Sequence, residues 1–296
     1  MMEDFEKTEY ERVAKVQSVI RQYGEENFVI SYSGGKDSNV LHTLIDVALP
    51  NNKIPRVYCD TGIEYEYIRQ FVKEKQKTDS RIHIITPQNN IRKVLETYGY
   101  PFKSKEHSDK LYEWQKRGLT PTTVKYFRFG NNTKVSLKYA CPKRLMYQIQ
   151  PDFKMKISDK CCENLKEKPL NLFKKKMNLK YQIIGIRRAE MGRRKHAVCT
   201  VFNNGELKAF QPLAPVSDEW EDYMIKKYDI KLPKLYYAPF NMTRTGCKGC
   251  PFALNLQEEL DMMEKYLPNE RKQCEIIWKP VYDEYRRIGY RLRKEK

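Results

Sequence analysis

Eight consecutive residues, Ser31-Tyr32-Ser33-Gly34-Gly35-Lys36-Asp37-Ser38, gather what is needed to grip an anion. Two adjacent glycines let the backbone come close to a ligand, Ser33 and Ser38 add hydroxyls, and Lys36 adds a mobile cation. Before them runs the apolar, β-branched Phe28-Val29-Ile30; after them Val40, Leu41, Leu44, Ile45 and Ala48 fall at helical spacing. The pattern predicts a tight turn from a buried strand into a helix. There the first amides lack intrahelical partners and the dipole is positive. It is not a Walker A loop, which needs four residues between its glycines.

The cysteines are the second chemical group. Cys161 and Cys162 are adjacent, and Cys247-Lys248-Gly249-Cys250 lies far downstream. Together they make four thiolates, enough to close a tetrahedral site. Neighbouring side chains rarely aim at one ion, whereas a cubane is wide enough for adjacent cysteines to take two irons. The spacing therefore favours a 4Fe-4S cluster over zinc, against the plainer alternative of four buried thiols. Of the other cysteines, Cys59 reads as buried, Cys141 before Pro142 as a spare thiol and Cys274 as packed in a helix. His42, His83, His107 and His196 are scattered, so no histidine base is assigned.

These groups need elements to position them. Residues 5–23 read as a helix; Ile54–Cys59 as a strand ending at Asp60-Thr61-Gly62; Ile82, Ile84 and Ile85 as a third strand. Tyr181–Arg188 reads as another buried strand, and Asn203-Asn204-Gly205-Glu206 as a hairpin turn. Gly130-Asn131-Asn132 is a further turn signal. Strand alternating with helix implies an α/β fold with a doubly wound parallel sheet, whose ligands bind at the carboxyl ends of the strands. The expected division is an α/β domain over 1–215, less regular at about 100–160, and a mainly helical region over 216–296 carrying the CxxC.

The chain has 296 residues, 40% of them hydrophobic, and a formal net charge of +18, which suggests a polyanionic partner or substrate. No stretch of 18 apolar residues exists, and the start, Met1-Met2-Glu3-Asp4-Phe5-Glu6, lacks a signal-peptide core. A cytoplasmic protein without a membrane partner is expected. Its eight cysteines then argue for metal or redox chemistry rather than structural disulfides.

The SGGKDS run resembles the PP-loop of ATP pyrophosphatases, and from about Phe28 to Phe252 the chain resembles the phosphoadenosine phosphosulfate reductase family. The motifs come in family order: the PP-loop, Asp60-Thr61-Gly62, Cys161-Cys162, then Gly185-Ile186-Arg187-Arg188 with Arg193-Arg194 behind it, and Thr245-Gly246-Cys247-Lys248-Gly249-Cys250. The resemblance implies a PP-loop fold and makes Cys161, Cys162, Cys247 and Cys250 ligands of a 4Fe-4S cluster. It makes Arg187 and Arg188 phosphate-gripping, through paired guanidinium donors. Two features depart from the reductases. The chain ends Arg293-Lys294-Glu295-Lys296 without their Glu-Cys-Gly-x-His motif, and Lys36 and Asp37 are intact where binders of phosphosulfates usually have a degenerate loop. An intact loop is similar to that of members that split ATP, including the small subunit of ATP sulfurylase and sulfur-transfer enzymes acting on nucleic acids.

The expected chemistry follows. Ser33, Gly34, Gly35 and Ser38 hold the leaving pyrophosphate of ATP while Lys36 neutralises it, and Asp37 or Asp60 holds Mg²⁺. The acceptor is adenylated and then attacked by sulfur. Nucleic acid, tRNA or DNA, is the expected acceptor, with a sulfur donor or a thioredoxin-like reductant as further partner. The competing expectations are a phosphosulfate reductase and a non-catalytic nucleotide- or nucleic-acid-binding regulator.

Overall fold

The computed structural model describes residues 2–128, 140–190 and 192–294. The turn expected at Gly130-Asn131-Asn132 and the side chain of Arg193 lie outside the described residues. The strands are β1 (Phe28–Ser31), β2 (Arg56–Cys59), β3 (Ile82–Ile85), β4 (Tyr181–Ile184), β5 (Thr200–Asn203) and β6 (Glu206–Phe210). The helices are α1 (Met2–Tyr23), α2 (Lys36–Ala48), α3 (Glu66–Thr78), α4 (Ile91–Tyr98), α5 (Lys105–Arg117), α6 (Pro121–Phe127), the single turn α7 (Lys160–Cys162), α8 (Lys168–Lys176), α9 (Asp218–Lys227), α10 (Leu256–Tyr266) and α11 (Pro268–Ile288).

All six strands join one sheet in the order β3-β2-β1-β4-β6-β5. Every neighbouring pair is parallel except β5 with β6. The α/β, doubly wound sheet is as the strand–helix alternation implies. Strand order runs outward one way from β1 through β2 to β3 and the other way through β4, so the reversal falls between β1 and β4. Such a reversal opens a crevice at the carboxyl ends. The glycine-rich loop leaves β1 there, and Arg187 follows β4. At the opposite edge, Asn204 and Gly205 both have positive φ, 50° and 82°, which suits a two-residue hairpin turn whose twist matches its strands.

Contacts divide the chain into two compact units. The first takes the chain up to Asp60, then Glu64–Thr86 and Lys168–Thr245. It holds the whole sheet with α1, α2, α3, α8 and α9. Its core sets Phe28, Ile30, Ile183 and Phe210 of the strands against Val16, Val19 and Ile20 of α1, Leu41, Leu44 and Ile45 of α2, and Trp220 and Met224 of α9. Trp220 buries its ring without stranding its N–H, which donates to the Phe5 carbonyl over 3.1 Å.

The second unit takes Thr61–Ile63, Pro87–Glu167 and the chain from Gly246 onward. It is helical, and a buried polar chain runs through it. His107 is wholly buried. Its Nδ1 lies 3.0 Å from the Tyr126 hydroxyl and its Nε2 2.7 Å from Gln148 Oε1. Burial pushes its imidazole down to about 4, with the Gln148 hydrogen bond offsetting part of the effect.

An unfolded histidine titrates near 6.5, so between that pH and about 4 the unfolded chain holds a proton here that the folded chain does not. Stability is therefore lost as pH falls through that window, by about 3 kcal/mol from this group. His42, also pushed down by burial, acts in the same direction. Denaturant unfolding of the full chain at about pH 7 and about pH 4.5 should show the loss, and His107→Gln should remove much of it. An unchanged slope in the variant would mean that His107 does not carry the effect.

Candidate nucleotide loop and cysteine centre

The loop after β1 is shaped from within. Gly34 has φ +74°, and a Cβ on it would lie 2.7 Å from Val72 Cγ2, so both its backbone angle and its packing require glycine. Ser33 Oγ accepts from the Gly35 N–H at 3.3 Å and donates to Ser38 Oγ at 3.1 Å, and Ser38 Oγ donates to the Gly35 carbonyl at 2.9 Å. The two expected serines thus brace the turn. Asn39, for which the motif carries no signal, spans it. Its Nδ2 donates to the carbonyls of Gly34 and Gly35, each at 2.9 Å. Its Oδ1 accepts from the Tyr32 hydroxyl at 2.7 Å and from Lys75 Nζ at 3.0 Å. Burial pushes Lys75 down to about 8.

Lys36 and Asp37 are not on an exposed loop. They open α2, and their side chains are 18% and 21% exposed. Lys36 Nζ stands 3.0 Å from Glu221 Oε2 and 3.7 Å from Asp222 Oδ1. Arg187 is buried among three carboxylates. Its Nε pairs with Asp37, its Nη1 lies 2.7 Å from Asp218 and its Nη2 3.1 Å from Glu221. Burial, together with the charge of Asp37, pushes Glu221 up to about 8, while Arg187 and Lys36 pull it back. Burial alone would lower Lys36; the charge and hydrogen bond of Glu221 outweigh it and hold Lys36 above its ordinary value. Glu221 is the charged residue that sequence reasoning missed. The only sign was an acid placed next to Trp220, on the rim of an apolar helix face. Arg188 points outward and donates through Nε to the Ala197 carbonyl at 2.7 Å. Asp60, at the end of β2, accepts from Arg69 Nε at 3.1 Å and Arg69 Nη2 at 3.1 Å.

The four cysteines fall in the second unit. Cys161 and Cys162 ride the single turn α7, which continues into a π-helical stretch, Glu163–Glu167. Cys247 and Cys250 sit on a loop whose carbonyls are bound from one face of α11. Trp278 Nε1 donates to Lys248 O at 3.2 Å, the Tyr282 hydroxyl to Gly249 O, and the Tyr285 hydroxyl to Pro251 O at 2.9 Å. Gly249 has φ +58°, and a Cβ there would meet Cys274 Sγ at 2.8 Å, so glycine is required. The thiols act on one another. A hydrogen bond shared with Cys161 draws Cys162 down to about 6, with Lys105 and Lys166 aiding. Cys161 is pushed up by that bond, by burial and by the charges of Cys162, Cys250 and Cys247. Burial and the charges of Cys247 and Cys162 likewise raise Cys250. A mutually interacting set of four sulfur donors suits a thiophilic cluster. Among the described residues no group of three or more His, Cys, Asp or Glu side chains is gathered closely enough to hold one metal ion.

Of the other thiols Cys141 and Cys274 are buried, whereas Cys59, expected to be buried, and Cys199 are half-buried. Burial pushes Cys141 and Cys274 each up to about 12. Cys274 packs against Met263 Sδ at 4.0 Å. The basic end of the chain is largely paired. Arg286 meets Glu275, Arg287 meets Glu284 at 2.7 Å, Lys279 meets Asp283 at 2.7 Å and Arg293 meets Asp261 at 2.9 Å. No helix among the described residues is long and apolar enough to cross a membrane.

A mostly parallel sheet with a glycine-rich loop at its strand-order reversal defines an α/β protein of the doubly wound class. The chain belongs to the phosphoadenosine phosphosulfate reductase domain family, whose model matches residues 27–121 and 119–289. It is similar to an uncharacterised protein of Methanocaldococcus jannaschii, 25% identical over 96% of this chain, and it spans 58% of that relative's length. Among solved structures it is similar to the phosphoadenylyl-sulfate reductase of Candida auris, with 12% identity, TM-score 0.46, and 78% of this chain and 87% of that one covered. It is also similar to the U34-tRNA thiolase NcsA of Methanococcus maripaludis with its 4Fe-4S cluster, with 15% identity, TM-score 0.38, and 94% of this chain and 80% of that one covered.

The two neighbouring arginines should behave differently on substitution. Arg187→Met leaves Glu221 and Asp37 facing each other without their shared cation, and should cost about 3 kcal/mol or more in urea unfolding. Arg188→Met should cost no more than about 0.5 kcal/mol. Equal losses would mean that the buried charges are not the source of stability.

Proposed function

We propose that this chain is a PP-loop enzyme that cleaves ATP to AMP and pyrophosphate and thereby activates an acceptor for sulfur transfer. The observation that carries this reading is the intact loop at the strand-order reversal, with Lys36 held beside the N-terminus of α2 by the buried Glu221. Nucleotide phosphates bind where amides and a cation converge. The Gly34-Gly35 backbone and Ser33 and Ser38 take the β,γ-pyrophosphate. Lys36 Nζ neutralises it as an acceptor oxygen attacks the α-phosphorus and the α–β bridge breaks. A sulfur nucleophile then displaces AMP. Asp37 and Asp60, now paired with Arg187 and Arg69, are the carboxylates that would hold Mg²⁺, which when bound would neutralise phosphate charge. Arg187 acts by holding Asp37 and Glu221 in place, and Arg188 is the outward guanidinium available to a phosphate.

Cys161, Cys162, Cys247 and Cys250 would hold a 4Fe-4S cluster, which when bound supplies either a carrier for the sulfur or a joint for this unit. Zinc is the alternative occupant of the same thiols. Cys162, the thiol made more acidic by its neighbours, is the one most ready to ligate as thiolate. The acceptor we favour is nucleic acid, tRNA or DNA. Support comes from the net charge of +18 and from Lys174, Lys175 and Lys176 crowding the last turn of α8. The family also contains phosphosulfate reductases, so release of sulfite from an adenylyl sulfate with a thioredoxin-like reductant would favour that chemistry instead.

Pyrophosphate release from ATP by anaerobically prepared protein, with and without RNA or DNA, tests the main reading. Lys36→Ala should lower the rate about a hundredfold, the order expected for losing one electrostatic group from the transition state. An unchanged rate would remove Lys36 from the chemistry. Because the substitution also removes one of the two cations that meet the buried Glu221, melting temperatures should be compared alongside.

Metal analysis tests the cysteine centre. Anaerobic protein should be brown, with about four iron per chain, whereas a zinc site would give a colourless protein with about one zinc. Cys247→Ser should lose most of the metal. Tyr282→Phe, which removes only a donor to the Gly249 carbonyl, should retain less metal than wild type. Neither iron nor zinc in wild-type protein would rule the site out.

A further inference from the structure

One of the loop's anion donors is already taken. The Lys36 N–H, at the first residue of α2, donates to the Tyr236 hydroxyl at 3.0 Å, from a residue 200 positions away in sequence. That hydroxyl also lies 2.8 Å from Thr245 Oγ1. No side chain of the N-cap residue serves the helix, because the N-cap is Gly35. Tyr236 therefore does the capping from a distance. The two hydroxyls press against the loop itself: a Cβ on Gly35 would lie 2.9 Å from each of them.

A phosphate oxygen seated at the start of α2 has to accept from these same first amides. The Lys36 N–H carries one hydrogen and cannot serve both partners fully. Nor can a phosphate sit against Gly35 where two hydroxyls already touch it. We propose that Tyr236 is a positioning residue that stands in for a phosphate oxygen when no nucleotide is bound, and that the short 3₁₀ turn Lys234–Tyr236 withdraws as pyrophosphate takes over the Lys36 N–H. The exchange runs toward the anion because a charge-assisted hydrogen bond is stronger than the neutral one it replaces. Until then the tyrosine keeps the amide satisfied and the loop in its binding shape, at the cost of competing with the ligand. This inference rests on reading the loop as a pyrophosphate site.

Inorganic pyrophosphate is the probe, titrated calorimetrically into full-length wild type, Tyr236→Phe and Thr245→Val. Tyr236→Phe should bind about fivefold more tightly, the worth of one neutral hydrogen bond that no longer has to be given up. Thr245→Val, which removes the hydroxyl's second partner, should gain less. Hydrogen exchange of residues 234–245 in the wild type should speed up when pyrophosphate binds; this readout stands even if Tyr236→Phe folds poorly. Equal or weaker binding by a Tyr236→Phe protein of unchanged melting temperature, or slower exchange of 234–245 on binding, would overturn the proposal while leaving the loop a pyrophosphate site. No binding by any of the three proteins would overturn the pyrophosphate reading, and this proposal with it.

Discussion

The buried meeting of Glu221 with Lys36 and Arg187 is the constraint on which the glycine-rich loop after β1 depends. A carboxylate removed from water is costly unless cations and hydrogen bonds replace the solvent. Glu221 is wholly buried, so two cations must come to it, and each fixes a different element. Lys36 ties α9 to the start of α2, and Arg187 ties it to the end of β4. Arg187 then reaches Asp37 as well, closing a ring of ionisable groups with Asp218 and Asp222 at its rim. The loop between β1 and α2 cannot drift without opening that ring. Lys36 is thereby kept at the start of α2 with little rotamer freedom.

In the second unit the same problem is solved with aromatic rings. The loop from Cys247 to Pro251 exposes several carbonyls that no helix or strand can satisfy. Trp278, Tyr282 and Tyr285 are spaced four and three apart, so they share one face of α11. Each buries a large ring and turns one polar hydrogen to a carbonyl of the loop. The loop's shape therefore comes from α11 and from Gly249, and its cysteines reach their positions through ordinary hydrogen bonding and packing.

Much of this was legible in the chain. Period-two and period-3.6 patterns located the strands and helices, and Asn204-Gly205 announced its hairpin. The glycine-rich run marked the anion loop because glycine and serine chemistry there is local. What stayed hidden depends on partners distant in sequence. Asn39 looks like any polar residue in the first turns of a helix until the Gly34 and Gly35 carbonyls are seen against its amide. Glu221 and Tyr236 sit about 185 and 200 residues from the lysine they serve, and a single sequence gives no register between them. Arg187 and Arg188 illustrate the limit. Identical neighbours in the motif, they differ in the structure: Arg187 is buried against Asp37, Asp218 and Glu221, and Arg188 is exposed.

Net charge is misleading in the same way unless its arrangement is considered. The +18 drew attention to the arginine-rich end of the chain, yet acids stand three or four residues from many of those bases along α11, as at Lys279 and Asp283 or Glu284 and Arg287. Alternating charges on one helix face cancel within a few ångströms and throw little field into solvent. From Lys168 to Lys180 the pattern is different: five lysines and not one acid. Lys175, Lys176 and Lys180 are exposed, and the half-buried Lys174 is shifted down by burial alone. Net charge therefore locates nothing by itself: where acids interleave with bases it cancels, and where they do not, as at Lys175, Lys176 and Lys180, it is left facing solvent.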